Sequence, residues 1–218
     1  MIRVIGDIHG KLDLLGNAIK KSPKTDKVIQ LGDLGFTREW KYAKKTYNPK
    51  EVFIIPGNHD DYSICDEYEG CLHGFGFVPE TDEKVAFISG AFSIDYMTRH
   101  IGIDLWENEE LSYQELSDVI EWWENKCQNV THIITHTAPQ HWCIWYYTMM
   151  NRKVLLASRT ENALDSILDL SIERKQKLTW IHGHHHLSVL CESRFAPVTI
   201  VSLDEGETFD FSHQTTEV

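Results

Sequence analysis

Ile2-Arg3-Val4-Ile5-Gly6-Asp7-Ile8-His9-Gly10 opens the chain, and its reading decides the fold. The apolar run from Ile2 to Ile5, broken only by Arg3, reads as a strand. It stops at a turn where two glycines flank a carboxylate and an imidazole. Alternate residues of an extended segment point the same way, so Asp7 and His9 can reach one cation together. Taken alone, the pentapeptide is equally the turn that precedes a helix cap. Its meaning depends on whether other strand ends supply further ligands.

Downstream, Leu12, Leu14, Leu15, Ala18 and Ile19 repeat at helical spacing up to Ser22-Pro23, where proline stops a helix. Val28 to Leu31 reads as a buried strand running into Gly32-Asp33-Leu34-Gly35. Glu39 to Thr46 reads as a helix, and Glu51 to Ile55 as a third strand ending in Pro56-Gly57-Asn58-His59-Asp60. This alternation predicts an α/β fold of parallel strands joined by crossover helices. The three turns then share the sheet edge at the carboxyl ends of the strands, where ligands bind.

The pattern changes after His73. Gly74 to Val78 and Val85 to Ile88 flank a polar stretch and predict a hairpin. Ser93 to Glu110 reads as a long irregular connection, of the kind that is usually functional. Ser112 with Glu115 forms a capping box for a helix to Lys126, buried along Leu116, Val119, Ile120 and Trp123, with Trp122 and Trp123 as core and edge packing. Val130 to Thr135 is a fourth parallel-type strand that delivers His136. Thr137 to Met150 is rich in Trp and Tyr and reads as a loop, either a wall packed on the core or a substrate-facing lid. Glu161 to Lys177 predicts a helix, and Leu178 to Ile181 a strand ending in His182-Gly183-His184-His185-His186. Leu187 to Cys191, Val198 to Leu203 and Thr208 to Phe211 read as closing antiparallel strands, with Gln214 to Val218 frayed. No repeat or linker interrupts the chain, so residues 1–218 read as a single domain.

Composition narrows the function classes. The 42% hydrophobic and 25% charged fractions are those of a globular protein, with neither a signal peptide nor an apolar run of membrane-spanning length. The five cysteines are odd in number and contain no Cys-x-x-Cys pair, which points to reduced thiols in a cytoplasm. A net charge of −12 disfavours a clamp on long duplex nucleic acid. Two bound divalent cations would bring it to about −8 and make the site itself positive, which suits a small anionic substrate.

Potential ligands thus stand at five strand ends: Asp7 and His9, Asp33, Asn58 and His59, His136, and His184 and His186. Each alone is an ordinary turn or core residue; their coincidence is not. Oxygen and imidazole donors without thiolate favour manganese, iron or zinc. The motifs Gly-Asp-Ile-His-Gly (6–10), Gly-Asp-Leu-Gly (32–35), Gly-Asn-His-Asp (57–60), Thr-His-Thr-Ala-Pro (135–139) and Gly-His-His-His (183–186) resemble the ordered motifs of the calcineurin-like metallophosphoesterases. That resemblance implies a four-layer α/β/β/α sandwich with mixed sheets and two divalent metal ions, Mn(2+) before Fe, Zn or Ni. By motif position, Asp7, His9 and His186 would bind the first metal, and Asn58, His136 and His184 the second. Asp33 would bridge them. A hydroxide between the metals would attack phosphorus in line, His59 would protonate the leaving oxygen, and Asp60 would orient His59. His185 would point away from the metals, as a surface group.

One departure from the family bears on the substrate. Its protein serine/threonine phosphatases carry Gly-Asp-x-x-Asp-Arg-Gly, whose arginine grips phosphate. Here Phe36 and Thr37 stand where Asp and Arg are expected, and Arg38 comes one position late. The residues from Gly90 to Glu110 also resemble a segment of a bacterial and phage branch, which nominates Arg99 as the replacement phosphate contact, with a surface salt bridge as the alternative. The reading is a phosphodiesterase or a small-molecule or nucleotide phosphatase. Alternatives are a protein serine/threonine phosphatase, a nuclease, or a non-catalytic scaffold module. The expected partner is a small phosphoester or nucleotide, with no membrane and no long duplex.

Overall fold

The chain is described here from a computed structural model covering residues 1–21, 25–151, 158–192 and 197–212. In order, it forms β1 (Ile2–Ile5), α1 (Leu12–Lys20), β2 (Lys27–Gln30), α2 (Thr37–Thr46), β3 (Val52–Ile54) and the single turn α3 (Tyr62–Cys65). There follow β4 (Phe75–Phe77), β5 (Val85–Ile88), α4 (Tyr113–Lys126), β6 (His132–Thr135) and α5 (Gln140–Met149). The chain closes with α6 (Arg159–Glu173), β7 (Leu178–His182), β8 (Val189–Glu192), β9 (Val198–Ser202) and β10 (Thr208–Phe211).

Two mixed sheets result, one in the order β10-β1-β2-β3 and the other β4-β5-β6-β7-β9-β8. Strands β1, β2 and β3 are parallel, as are β5, β6, β7 and β9, while β10, β4 and β8 run antiparallel at the edges. The central strands are covered on both faces, which is why they read as unbroken apolar runs. Ile2, Val4, Ile29, Phe53, Ile134, Ile181 and Val201 meet between the sheets. Ile5, Val28 and Ile54 instead face Leu15, Trp40 and Ala43 of α1 and α2. On the far side, Ile133, Trp180 and Ile200 pack against Val119, Trp123, Leu164 and Ile167 of α4 and α6. Helix, sheet, sheet, helix gives the four layers expected. Arg3, the one charge in β1, accounts for itself: it makes a bidentate pair with Asp210, its register partner on β10 (2.7 and 2.6 Å), and donates to Ala18 O on α1.

The capping box is formed. Ser112 Oγ accepts from Glu115 N at 3.3 Å, and Ser112 N donates to Glu115 Oε2 at 2.8 Å. Ser112→Ala is expected to lower the unfolding free energy by about 1 kcal/mol. An unchanged urea midpoint would show that the cap contributes nothing.

Three expectations need correction. Thr137 to Met150 is not a loop: after the cap residue Pro139 it is α5, with Cys143, Tyr146 and Tyr147 buried against Ala138. Strand β9 is not antiparallel to its inner neighbour: β8 runs out to the sheet edge, and the return strand slots in parallel to β7, with Leu178 opposite Val198. His185 is 7% exposed, so it is no surface group. Helix α1 ends at Lys20, and the Ser22-Pro23 stop and the frayed Gln214 to Val218 lie outside the described residues. Among the described residues no helix is long and apolar enough to cross a membrane.

Candidate metal centre

The turns after β1, β2, β3, β6 and β7 meet at one edge of the sandwich, and the side chains expected there do converge. His9 Nε2 lies 3.7 Å from Asp7 Oδ2 and 3.7 Å from Asp33 Oδ2, and 3.1 Å from His186 Nε2. His186 Nε2 is in turn 3.6 Å from Asp7 Oδ2. On the other side, His136 Nε2 lies 3.3 Å from Asp33 Oδ1 and 3.3 Å from Asn58 Oδ1. Asp33, His136 and His184 offer donor atoms within 4.8 Å of one another, as do Asp7, His9 and His186. The two oxygens of Asp33 therefore face two different donor groups, the arrangement a shared carboxylate requires.

Backbone conformation is subordinated to this convergence. His9, Asp33, His184 and His186 all sit in the left-handed region, with φ of 46°, 52°, 66° and 50°. Such residues cost of order 1 kcal/mol or more each and gather at functional sites. Two glycines allow the close approach. A Cβ on Gly57 would overlap Asp33 Oδ1 and His136 Nε2, and one on Gly183 would overlap Asp7 Oδ1.

The donors fit divalent cations by an internal test. His184 is held by its backbone N–H, which donates to both oxygens of Asp7 (3.1 Å each), yet its Nε2 is buried without a hydrogen-bond partner. A buried imidazole nitrogen left bare is costly unless something binds it. His136 Nδ1–H donates to Leu31 O at 2.7 Å, which turns the Nε2 lone pair toward Asp33. Asn58 is oriented likewise: its Nδ2 donates to Ser93 Oγ (3.2 Å), which donates to Glu109 Oε2 (2.7 Å).

Charge is distributed unevenly over these groups. Burial drives the Asp7 carboxyl up to about 7, helped by Asp33, while His136 and the His184 N–H pull it back. Burial also pushes on Asp33, but His136, through charge and hydrogen bonding, holds it well below the usual carboxylate range. The His136 imidazole is lowered by burial and raised more strongly by Asp33, to about 9. Burial above all, with the His136 charge, holds His184 well below the ordinary imidazole value.

His59 and Arg99 stand together at the open side. His59 N donates to Asp33 Oδ1 (2.9 Å), and Arg99 Nη2 lies 2.6 Å from His59 Nε2. Burial, then the Arg99 charge, lowers the His59 imidazole below its ordinary value against the pull of Asp33. Arg99 also pairs with Asp95 Oδ1 at 2.6 Å and donates to Asp104 O at 3.1 Å. Both readings of Arg99 thus have a physical counterpart, a salt bridge and a place in the cleft. That cleft, about 340 Å³, is lined by Asp33, Asn58, His59, Asp95, Arg99, His184, His185 and His186, with Ile94, Tyr147 and Met150 as its apolar lining.

Two nominated residues are elsewhere. Asp60 is fully buried, but its carboxylate accepts from Gly57 N, Gly35 N and Trp40 Nε1 (2.8, 3.0 and 2.9 Å) and makes no hydrogen bond to His59. It braces the two ligand-bearing turns against α2. Arg38 is exposed on the first turn of α2 and does not line the cleft. Ser93, Glu109, Tyr147 and Met150 enter the site without a local signal of their type. Only their place in the long connection and the aromatic segment hinted at them.

A two-sheet sandwich with carboxylates, imidazoles and an asparagine amide gathered at the strand ends is a scaffold with a donor set for divalent cations. The model of the calcineurin-like phosphoesterase family matches residues 1–188, and the chain belongs to that family. It is accordingly a metal-dependent phosphoesterase, and the family implies two divalent metal ions. No curated protein sequence matches significantly. The fold is similar to that of phosphopantetheinyl hydrolase from Mycobacterium tuberculosis, with TM-score 0.52 and 15% identity over 94% of this chain and 89% of that one. It is also similar to a Staphylococcus aureus protein assigned as a 5'-nucleotidase, with TM-score 0.59 and 11% identity over 94% of this chain and 48% of that one. At these identities the likeness is one of fold.

Proposed function

We propose that the chain hydrolyses small phosphoesters, as a phosphodiesterase or a small-molecule or nucleotide phosphatase. Asp7, His9 and His186 would hold one cation, Asn58, His136 and His184 the other, and Asp33 both. Mn(2+) suits this oxygen and nitrogen set, with Fe, Zn or Ni as substitutes. When bound, the cations supply Lewis-acid polarisation of the phosphoryl group and activation of a water at neutral pH.

The observation that carries the reading is the 2.6 Å pairing of Arg99 Nη2 with His59 Nε2 beside Asp33. In that pair the guanidinium donates and Nε2 accepts, so the imidazole proton sits on Nδ1. A phosphoryl oxygen offers Arg99 a better acceptor than a neutral imidazole does. Substrate entry then draws Arg99 onto the phosphoryl group and frees the Nε2 lone pair, which takes up a proton from solvent and passes it to the leaving oxygen. The cleft volume and the apolar wall of Ile94, Tyr147 and Met150 suit one modest organic substituent on phosphorus. The charge of −12 argues against long duplexes, and five free cysteines suit a reducing cytoplasm.

Arg99→Ala is expected to raise KM by about 10–150-fold, corresponding to about 1.5–3 kcal/mol for a charge-assisted hydrogen bond. Arg99→Lys should recover only part of it, since a point charge cannot replace the fork. Unchanged KM in both variants would remove Arg99 from the site. The reading as a whole is tested by turnover of p-nitrophenyl phosphate, its bis ester, nucleotides and cyclic nucleotides with manganese, nickel, zinc and magnesium. Turnover of the small esters supports it; inertness toward all of them while a phosphopeptide is hydrolysed overturns it.

A further inference from the structure

At one border of the cleft lies a second donor cluster that phosphoester chemistry does not use. Cys143 on α5, Glu161 on α6 and His185 in the turn after β7 are all buried. The thiol sulfur, a carboxylate oxygen and an imidazole nitrogen lie within 4.8 Å of one another. Cys143 Sγ is 3.3 Å from His185 Nε2. Zinc bond lengths at a tetrahedral angle would set sulfur and nitrogen about 3.6 Å apart, so the pair needs only to open slightly.

We propose that Cys143, Glu161 and His185 form a further metal site that takes one zinc-class divalent cation. A thiolate, an imidazole and a carboxylate are the donors that such an ion prefers, and the thiolate sets this site apart from the oxygen and nitrogen set at Asp33. Glu161 has an orienting contact, since Thr137 Oγ1 donates to its Oε1 at 3.4 Å. The Tyr146 and Tyr147 rings lie 5.2 and 5.7 Å from the His185 ring and pack beside the cluster.

Electrostatics favour the same occupant. Burial pushes the Cys143 thiol well above its ordinary range and the Glu161 carboxyl up to about 7. Without an ion the thiol therefore keeps its proton, and the carboxyl carries one about half the time near neutral pH and mostly below it. A divalent cation exchanges for the protons they carry, and thiolate plus carboxylate then balance its charge in the dry interior. Access is available, because His185 lines the cleft alongside Tyr147 and Met150. An ion there would tie α5 and α6 to the turn that carries His184 and His186.

Cobalt(II) distinguishes the two kinds of site. The chain is stripped with a chelator, refilled with cobalt(II), and read by absorption and elemental analysis. A thiolate-to-cobalt charge-transfer band in the near ultraviolet is expected, together with one bound equivalent beyond those of the Asp33 centre. Cys143→Ser should lose the band and that equivalent, and Glu161→Gln should weaken retention of the same ion on dialysis. Asp33→Asn should keep the band while losing activity, so failure of the phosphoesterase reading and failure of this one give different results. No band in the unaltered chain, or a band and metal content unchanged by Cys143→Ser, overturns the proposal.

Discussion

Asp33→Asn is expected to lower kcat/KM by at least about 10³-fold and to leave the protein with less bound metal. The magnitude follows from the charge involved. Asp33 is 1% exposed, and its two oxygens face different donor groups, His9 on one side and His136 with Asn58 on the other. An amide offers one neutral oxygen where a carboxylate offers two that share a charge. Two cations held by what remains would repel each other across a low-dielectric site. Lewis-acid stabilisation is worth several kcal/mol at the transition state, so losing one cation alone costs about three orders of magnitude. The fold should survive, because Asn Oδ1 can still accept from His59 N, as Asp33 Oδ1 does at 2.9 Å. Metal content by elemental analysis and kcat/KM on an activated ester check this, with circular dichroism as the control for folding. Full activity with full metal content would remove Asp33 from the role of shared ligand.

His59→Ala should act differently, and the difference identifies its role. For alkyl phosphoesters, whose leaving oxygen is basic, the loss should be about 10²–10⁴-fold. For p-nitrophenyl esters, whose phenolate leaves without a proton, it should be small. Metal content should not change, since the imidazole is engaged by Arg99 at 2.6 Å. The measurement is a plot of log kcat against leaving-group pKa for both proteins, steeper in the variant. Parallel lines would mean that His59 positions the substrate or holds a cation. That alternative has a geometric basis, as His59 shares a cluster with His9 and Asp33. Arg99 bears on the same plot. If it leaves Nε2 only when a phosphoryl group arrives, Arg99→Ala frees the imidazole early, raising KM while leaving the slope unchanged.

Legibility in the sequence followed the physics of each segment. The parallel core strands were readable because burial on both faces leaves unbroken apolar runs such as Val28 to Leu31. The ligand turns were readable because glycine and polar residues interrupt those runs at the carboxyl edge. Helix α4 announced itself through Ser112 and Glu115. Helix α5 did not: its Trp and Tyr residues face in several directions, so no single apolar stripe has helical period, and aromatic residues are indifferent helix formers. Missing that helix also misplaced His185. Its imidazole groups with Cys143 and Glu161 against the buried flank of α5, so it is not exposed. Asp60 shows the limit of adjacency. It follows His59 directly, yet its carboxylate is consumed by Gly35, Gly57 and Trp40. Neither Arg38 nor Arg99 carries a local signal of its own; the resemblance of Gly90 to Glu110 nominates Arg99, and tertiary structure places Arg99, not Arg38, in the cleft.

The pairing of β10 with β1 has a consequence for synthesis. Strand β1 leaves the ribosome well before its partner on one side, Thr208–Phe211, which follows some two hundred residues later. At 5–20 residues per second the nascent chain carries an open strand edge for roughly 10–40 s. That edge presents unpaired backbone groups to any neighbouring chain. Arg3, set in the middle of this strand, places a charge where a foreign strand would otherwise add freely, until Asp210 arrives to neutralise it. The residue that interrupts the opening apolar run is thus placed to discourage foreign strand pairing during synthesis, and it serves as a clasp in the finished sheet.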